Sequence, residues 1–310
     1  MSAKRVNHVL EYAGFGLLTL VVQLLPVKAA QRLGSALGGL AYRVLSSRRA
    51  ITLDNLAKGL PELSPEKRVE IARNVFRGIA TSFLEILWFP RLTPETLLAF
   101  ARVENAHLVS EALAKGRGLI FLSAHFGNWE IGAQAVSVRT GKPMLMIVKP
   151  QSNPFVDRAV NRRRAQFGCW VVPMGESVRP VLKNLEAGGL VAVAADQSAA
   201  KQSIWVRFFG REVPVHQGPA AFALKTRAQI VMSFAVRQDD GTYAVTMKML
   251  DFDDLVGYTP ENVEELTRRH VQYTEEMIRR NPEQWMWTHR RWKTGPEEKP
   301  GRQEATDAQR

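Results

Sequence analysis

The stretch GLIFLSAHFGNWEIGAQAVSV, residues 118–138, decides how the chain is read. It opens with a short, uninterrupted apolar run, as in a parallel strand buried on both faces. Small and polar residues follow, with Gly127 and Asn128 as turn and candidate helix cap, and an amphipathic helix takes over. The same alternation continues. PMLMIVK reads as strand and NPFVDRAVNRRRAQF as helix. CWVVP is strand, SVRPVLKNLEAG helix and LVAVAAD strand. QIVMSFAV, Asp240-Gly241 and YAVTMKML form a hairpin pattern. Strands alternating with helices imply an α/β fold with a mostly parallel central sheet flanked by helices.

Upstream of this core the chain reads as helical. Ser64-Pro65-Glu66 is a strong helix start, and Val69, Ala72, Phe76, Ile79, Phe83 and Ile86 mark its expected buried face. Residues 27–46 form a helix with Leu33, Leu37, Leu40, Val44 and Leu45 on one stripe. From Tyr12 to Leu25 only Thr19 and Gln23 interrupt apolar residues and glycine. A cleaved leader, a core helix and a membrane anchor all fit this segment. Glu11 opposes the leader, and Lys4, Arg5, Lys28 and Arg32 at the flanks favour the anchor. A bias of positive charge after Lys28 would put the remainder in the cytoplasm. The expected organisation is a membrane-associated helix over 1–27, a catalytic domain over 28–296 with a helical lead-in to about 115, and a disordered polar tail over 297–310. Thr259-Pro260 starts a late helix with Val263, Leu266, His270, Tyr273 and Met277 inward.

Forty-two Lys and Arg against 30 Asp and Glu give a net charge of +12, a field that attracts polyanions, anionic lipid or acidic protein. No zinc-finger spacing or ribonucleoprotein motif accompanies it, so no nucleic-acid partner is expected. The one cysteine, Cys169, excludes an internal disulfide and a cysteine-based metal site. It lies in an apolar strand, as a core residue would.

His125 leaves a strand end, and Glu130 follows five residues later. On one continuous helix that spacing puts the two roughly 140° apart. They can meet only with His125 in the loop and Glu130 in the first helical turn. A carboxylate on one ring nitrogen fixes the tautomer and makes the other nitrogen a better base. Such a pair could take a proton from an alcohol, and carboxyl ends of parallel strands are where α/β sheets place their sites. A loop histidine satisfied by a local hydrogen bond is the plainer alternative.

HFGNWE resembles the H-x-x-x-x-D/E signature of glycerolipid-type acyltransferases, and the whole chain resembles the bacterial lipid A biosynthesis acyltransferases, the lauroyl and myristoyl transferases. Four further stretches carry the resemblance in order: RRAITLDNLAKGLPELS (48–64), KPQSNPFVDRAVNRRRAQFG (149–168), AADQSAAKQSIWVRFFGREVPVHQGPAAFALKTRA (194–228) and NPEQWMWTHRRWKTGPE (281–297). The resemblance implies an acyl–acyl-carrier-protein donor, a phosphorylated glycolipid acceptor at the membrane, and direct transfer without cofactor or metal. His125 is then the general base and Glu130 its orienting acid, while Arg164 and Asp196 are functional residues. Lys149 stands where an arginine is common, offering a point charge in place of a planar fork. Gly127 and Asn128 lie where oxyanion-stabilising N–H groups would be, with Asn128 counted among the substrate-binding residues. The same fold acting on a mannosylated phosphoinositide or an aminolipid, or a membrane-binding module without turnover, are the alternatives.

Overall fold

The computed structural model describes residues 3–198 and 203–293, so the expected tail at 297–310 lies outside the described residues. Helices α1 (Ala3–Leu24), α2 (Val27–Val44), α3 (Ser46–Gly59), α4 (Pro65–Trp88) and α5 (Pro94–Phe100) lead into the core. Strand β1 (Ala101–Val103), helix α6 (His107–Ala114), β2 (Leu119–Ser123), α7 (Trp129–Thr140), β3 (Met144–Val148), α8 (Pro154–Arg164), β4 (Cys169–Pro173), α9 (Val178–Glu186) and β5 (Leu190–Ala194) follow. The chain closes with β6 (Ser203–Phe208), β7 (Arg211–His216), α10 (Gly218–Thr226), β8 (Gln229–Arg237), β9 (Tyr243–Leu250) and α11 (Pro260–Arg280).

Seven strands form one sheet in the order β1-β9-β8-β2-β5-β3-β4. Among the described residues only the β8–β9 hairpin pairs antiparallel within it. The mostly parallel sheet expected from the apolar runs is therefore present. Strand β2 lies inside it and alternates between two cores. Ile120 and Leu122 pack with residues of α9, α10 and α11, while Leu119 and Phe121 pack with α5, α6 and α7. Both sides are covered, so the run carries no polar alternation. The two-stranded ribbon β6–β7 is an addition that the sequence reading did not separate.

Helix starts follow ordinary capping chemistry. The Ser64 hydroxyl accepts from Lys67 N–H, and Asn153 Oδ1 from Phe155 and Val156 N–H. Asn153 also donates to His8 O and Glu11 Oε2, both at 2.8 Å, fastening α1 to the start of α8. Among the described residues no helix is long and apolar enough to cross a membrane.

Helix α2 turns its small residues inward. Ala30, Gly34, Gly38 and Tyr42 are buried, whereas Leu37, Leu40, Val44 and Leu45 are exposed. The cause is close backbone contact with α4. A Cβ on Gly38 would sit 2.4 Å from Phe76 O, and one on Gly34 2.6 Å from Thr81 Cα. The leucine stripe thus faces out, and Leu10, Leu17, Leu20 and Leu24 of α1 are exposed as well. Phe83 of α4, expected inside, is also exposed, because the buried face of α4 is rotated toward Ile71, Val75, Leu84 and Leu87. A Gly38→Ala substitution meets backbone and must push the helices apart. It should cost about 1–3 kcal/mol, read as a lower unfolding temperature.

One buried acid on α4 went unread in the sequence. Glu85 is 1% exposed and takes both terminal nitrogens of Arg237, at 2.6 and 2.8 Å. Tyr243 Oη, Asn128 Nδ2 and Gln31 Nε2 also donate to it, at 2.6, 2.9 and 2.8 Å. With its lone pairs filled, the carboxylate ties α2, α4, the start of α7, β8 and β9 together.

Candidate active site

Register places His125. Ser123 of β2 pairs with Ala194 of β5, and Ala195 N–H donates to Ser123 O. His125 and Asp196 each lie two residues beyond that pair, at the carboxyl edge of the sheet. His125 Nδ1 and Asp196 Oδ1 are 2.7 Å apart. The carboxylate on the imidazole is therefore Asp196, and the expectation that Glu130 orients the ring is corrected.

Glu130 is held elsewhere. It sits in the first turn of α7, 5% exposed, and receives Arg164 Nε at 2.9 Å and Arg164 Nη2 on its other oxygen. Arg164 also donates to Asn161 Oδ1 at 2.7 Å. The three residues lock α7 to α8. Arg164 and Asp196 therefore do not pair with each other.

The loop carrying His125 is pressed against β8. Gly127 has φ +54°, and a Cβ there would lie 1.9 Å from Ala235 O, so glycine is required. The C-terminal segment then closes over the loop. Gly127 N–H donates to Gln284 O, and Met286 N–H to His125 O, at 2.8 and 3.0 Å. Asn128 Oδ1 accepts from Ile131 N–H, capping α7, while its amide donates to Glu85. Gly127 N–H and the Asn128 side chain are thus spent on structure, so the oxyanion contact expected of Gly127 N–H and the substrate contact expected of the Asn128 side chain are corrected.

Asp196 has a second donor, Trp285 Nε1 at 2.8 Å. Trp285 and Trp287 are both buried, and Trp285 also touches the Asp196 carboxylate. Behind Asp196 lies Arg291, 2% exposed, with Pro214 O as an acceptor at 3.2 Å. Burial pushes the Arg291 guanidinium down to about 10, while the charge of Asp196 opposes that shift. Burial works against the Asp196 carboxylate, yet His125 and Trp285 outweigh it and hold its pKa down to about 2. Burial likewise opposes a charged His125, but Asp196, aided by Glu130, brings its pKa above the ordinary 6.5. The Cys169 thiol, buried in β4, is pushed up to about 11 by burial and is inert at neutral pH.

The remaining ring nitrogen, Nε2, lies 3.4 Å from Gln197 Nε2, and the His125 side chain is 23% exposed. Two cavities meet at this side chain. One, of about 760 Å³, is chiefly apolar, with Phe15, Phe83, Ile86, Phe121, Met146 and Val160 in its wall. Glu130 and Arg164 border it too, as do Lys149, Gln197, His289 and Lys293. Lys149 is exposed at that edge. The other cavity, of about 630 Å³, is polar and opens between α2, α4 and the β8–β9 turn. Both fall in the size range of small-molecule sites. Among the described residues no group of three or more His, Cys, Asp or Glu side chains could hold a metal ion.

The arrangement suits proton abstraction. Asp196 fixes the Nδ1–H tautomer, leaving Nε2 as acceptor toward the cavities. Because the folded pKa of His125 is raised, the base form fills only above pH 6.5, and activity should fall as pH drops through that raised value. The ion pair's stabilisation runs in the opposite sense for the histidine. It is full below pH 6.5 and lost as pH rises through the folded pKa. For Asp196 it is present above 3.8 and lost as pH falls through about 2. An Asp196→Asn enzyme should show the acid limb of its kcat profile at lower pH than the native enzyme. An unmoved limb in the pH–rate profile would show that another group sets it.

Trp285, Gln197, His289, Arg291 and Glu85 were not singled out by sequence as members of the site. Four of them lie in the stretches 194–228 and 281–297 that carry the resemblance, and Glu85 is a lone acid within the apolar run of α4.

Residues 2–294 match the profile of the family described as bacterial lipid A biosynthesis acyltransferase. The chain is similar to the lipid A biosynthesis lauroyltransferase of Escherichia coli (strain K12), 28% identical over 94% of each chain. It is 26% identical to the palmitoleoyltransferase of the same strain, over 93% of this chain and 92% of the relative. A phosphatidylinositol mannoside acyltransferase of Mycobacterium tuberculosis is 25% identical over 39% of each chain.

Proposed function

Because the chain belongs to the bacterial lipid A biosynthesis acyltransferases, we propose that it moves a fatty acyl chain from acyl carrier protein to a hydroxyl of a lipid A precursor. The observation that carries the reading is the placement of His125, aligned by Asp196 and bordering an apolar and a polar cavity.

His125 Nε2 takes the proton of the acceptor hydroxyl as its oxygen attacks the thioester carbon. The tetrahedral intermediate collapses, the carbon–sulfur bond breaks, and the imidazolium returns its proton to the departing thiolate. The enzyme forms no covalent bond to the acyl group. Asp196 keeps the ring in one tautomer and stabilises the imidazolium. Glu130 acts at one remove, adding negative charge near His125 and holding Arg164. The apolar cavity shelters an acyl chain, and Lys149 and Lys293 at its edge attract an anionic partner.

Helices α1 and α2 rest in the interface of the inner membrane, on its cytoplasmic side. Their outward leucines enter the acyl region, while Lys4, Arg5 and Arg43 meet anionic headgroups. Transfer to a mannosylated phosphoinositide is a second reading, supported by the partial similarity to the mycobacterial enzyme. Acyl carrier protein bearing a labelled chain, supplied with each lipid in turn, separates the two when the products are analysed by mass. Acylation of the lipid A precursor is expected. Acylation of the mannosylated lipid alone would overturn the reading.

A further inference from the structure

The polar cavity has two unlike walls. Lys28 and Arg32, one helical turn apart on α2, and Arg77 on α4 line one side. All three are exposed. Lys28 faces Asp240, whereas Arg32 and Arg77 form no ion pair or side-chain hydrogen bond with a described residue. Asp239 and Asp240, from the β8–β9 turn, and Glu283 stand in the remaining wall. The walls are joined by Gln31, which donates to Glu85 Oε1 on α4 and to Gly241 O in the turn, at 2.8 and 2.7 Å. The cavity reaches His125.

Like charges converging on one cavity repel each other until an anion lies between them. Guanidinium groups suit phosphate oxygens, which they can hold through two parallel hydrogen bonds. Carboxylates opposite would repel a bare polyphosphate, but they accept hydrogen bonds from hydroxyl groups. A ligand with phosphate on one side and hydroxyls on the other satisfies both walls.

Resting on the acceptor class argued above, we propose that the polar cavity is the headgroup site for a phosphorylated sugar, with Lys28, Arg32 and Arg77 on its phosphate. Asp239, Asp240 and Glu283 take sugar hydroxyls. The location fits delivery from a bilayer, since α2 carries Lys28 and Arg32 in its first half and the outward Leu37 and Leu40 in its second. A headgroup seated here leaves the attached chains free to present a hydroxyl at His125.

The test is the Arg32→Ala/Arg77→Ala double variant of the full chain, assayed in mixed micelles with acyl carrier protein donor. The acceptor is a lipid A precursor, intact or stripped of phosphate by phosphatase. Losing two charge-assisted phosphate contacts should raise the KM for intact acceptor by about tenfold or more. The donor KM should not change. Stripped acceptor should be used equally poorly by native and variant enzyme. An Arg32→Lys/Arg77→Lys variant, which keeps the charges, should recover part of the loss and guards against a folding defect. Equal KM changes for both acceptors would mean attraction to the micelle, and a change confined to the donor would mean that its phosphopantetheine occupies the cavity. Either result, or no change, overturns the headgroup site. Native enzyme that acylates no lipid A precursor overturns the acceptor class itself, a separable failure.

Discussion

Replacement of His125 by alanine is expected to lower acyl transfer by about 10²–10⁴-fold, the range for removal of a positioned general base. The loss should appear in kcat at saturating donor and acceptor, because His125 lies where the cavities meet and walls neither alone. The fold should survive. Asp196 keeps the Trp285 N–H and the nearby Arg291 charge after the imidazole is gone. Purified His125→Ala enzyme is to be compared with native in initial-rate assays and thermal unfolding. Turnover within a fewfold of native would sink the mechanism.

The largest expected effect on stability belongs to Arg164. Its alanine variant leaves the buried Glu130 carboxylate without either guanidinium contact. Stranding one member of a buried pair costs about 3–5 kcal/mol, far more than loss of an exposed charge. An Arg164→Met/Glu130→Leu double variant removes both charges and fills their volume, so most of that cost should return. Its activity should not return. The apolar cavity would lose the polar groups beside His125, and the imidazole would lose the nearby carboxylate that favours its protonation. Thermal unfolding of both variants, with transfer rates on the double, separates the roles. Full activity in a stable double variant would reduce the pair to a clamp between α7 and α8.

The strands of the core were legible because a strand covered on both faces needs an unbroken apolar run, as in Leu119–Ser123 and Leu190–Ala194. The β8–β9 hairpin was legible through Asp240-Gly241. Arg207, Arg211 and Glu212 obscured β6 and β7, since their outward charges and the Phe208-Phe209 pair break the expected alternation. Both ends of the central pair were also readable, His125 after one strand and Asp196 after another. Their meeting was not, because it depends on β5 lying beside β2 with Ser123 opposite Ala194. Without that order the nearer acid, Glu130, drew the assignment through sequence proximity. The leucine stripe of α2 shows a similar limit. Periodicity reveals that a face is apolar, but the contact of Gly34 and Gly38 with α4 decides which face turns inward.

The position of His125 between two separate openings also bears on the order of events. On the proposed assignment of acyl chain and acceptor headgroup to the two cavities, neither substrate must leave before the other arrives. With direct attack and no acylated enzyme, both must be bound together when the bond forms. Initial-velocity lines at several fixed acceptor concentrations should therefore intersect, as for a ternary complex, instead of running parallel. If the donor is acyl carrier protein, as proposed, free carrier should not be released until acceptor is present, and the loaded donor complex would be a waiting state.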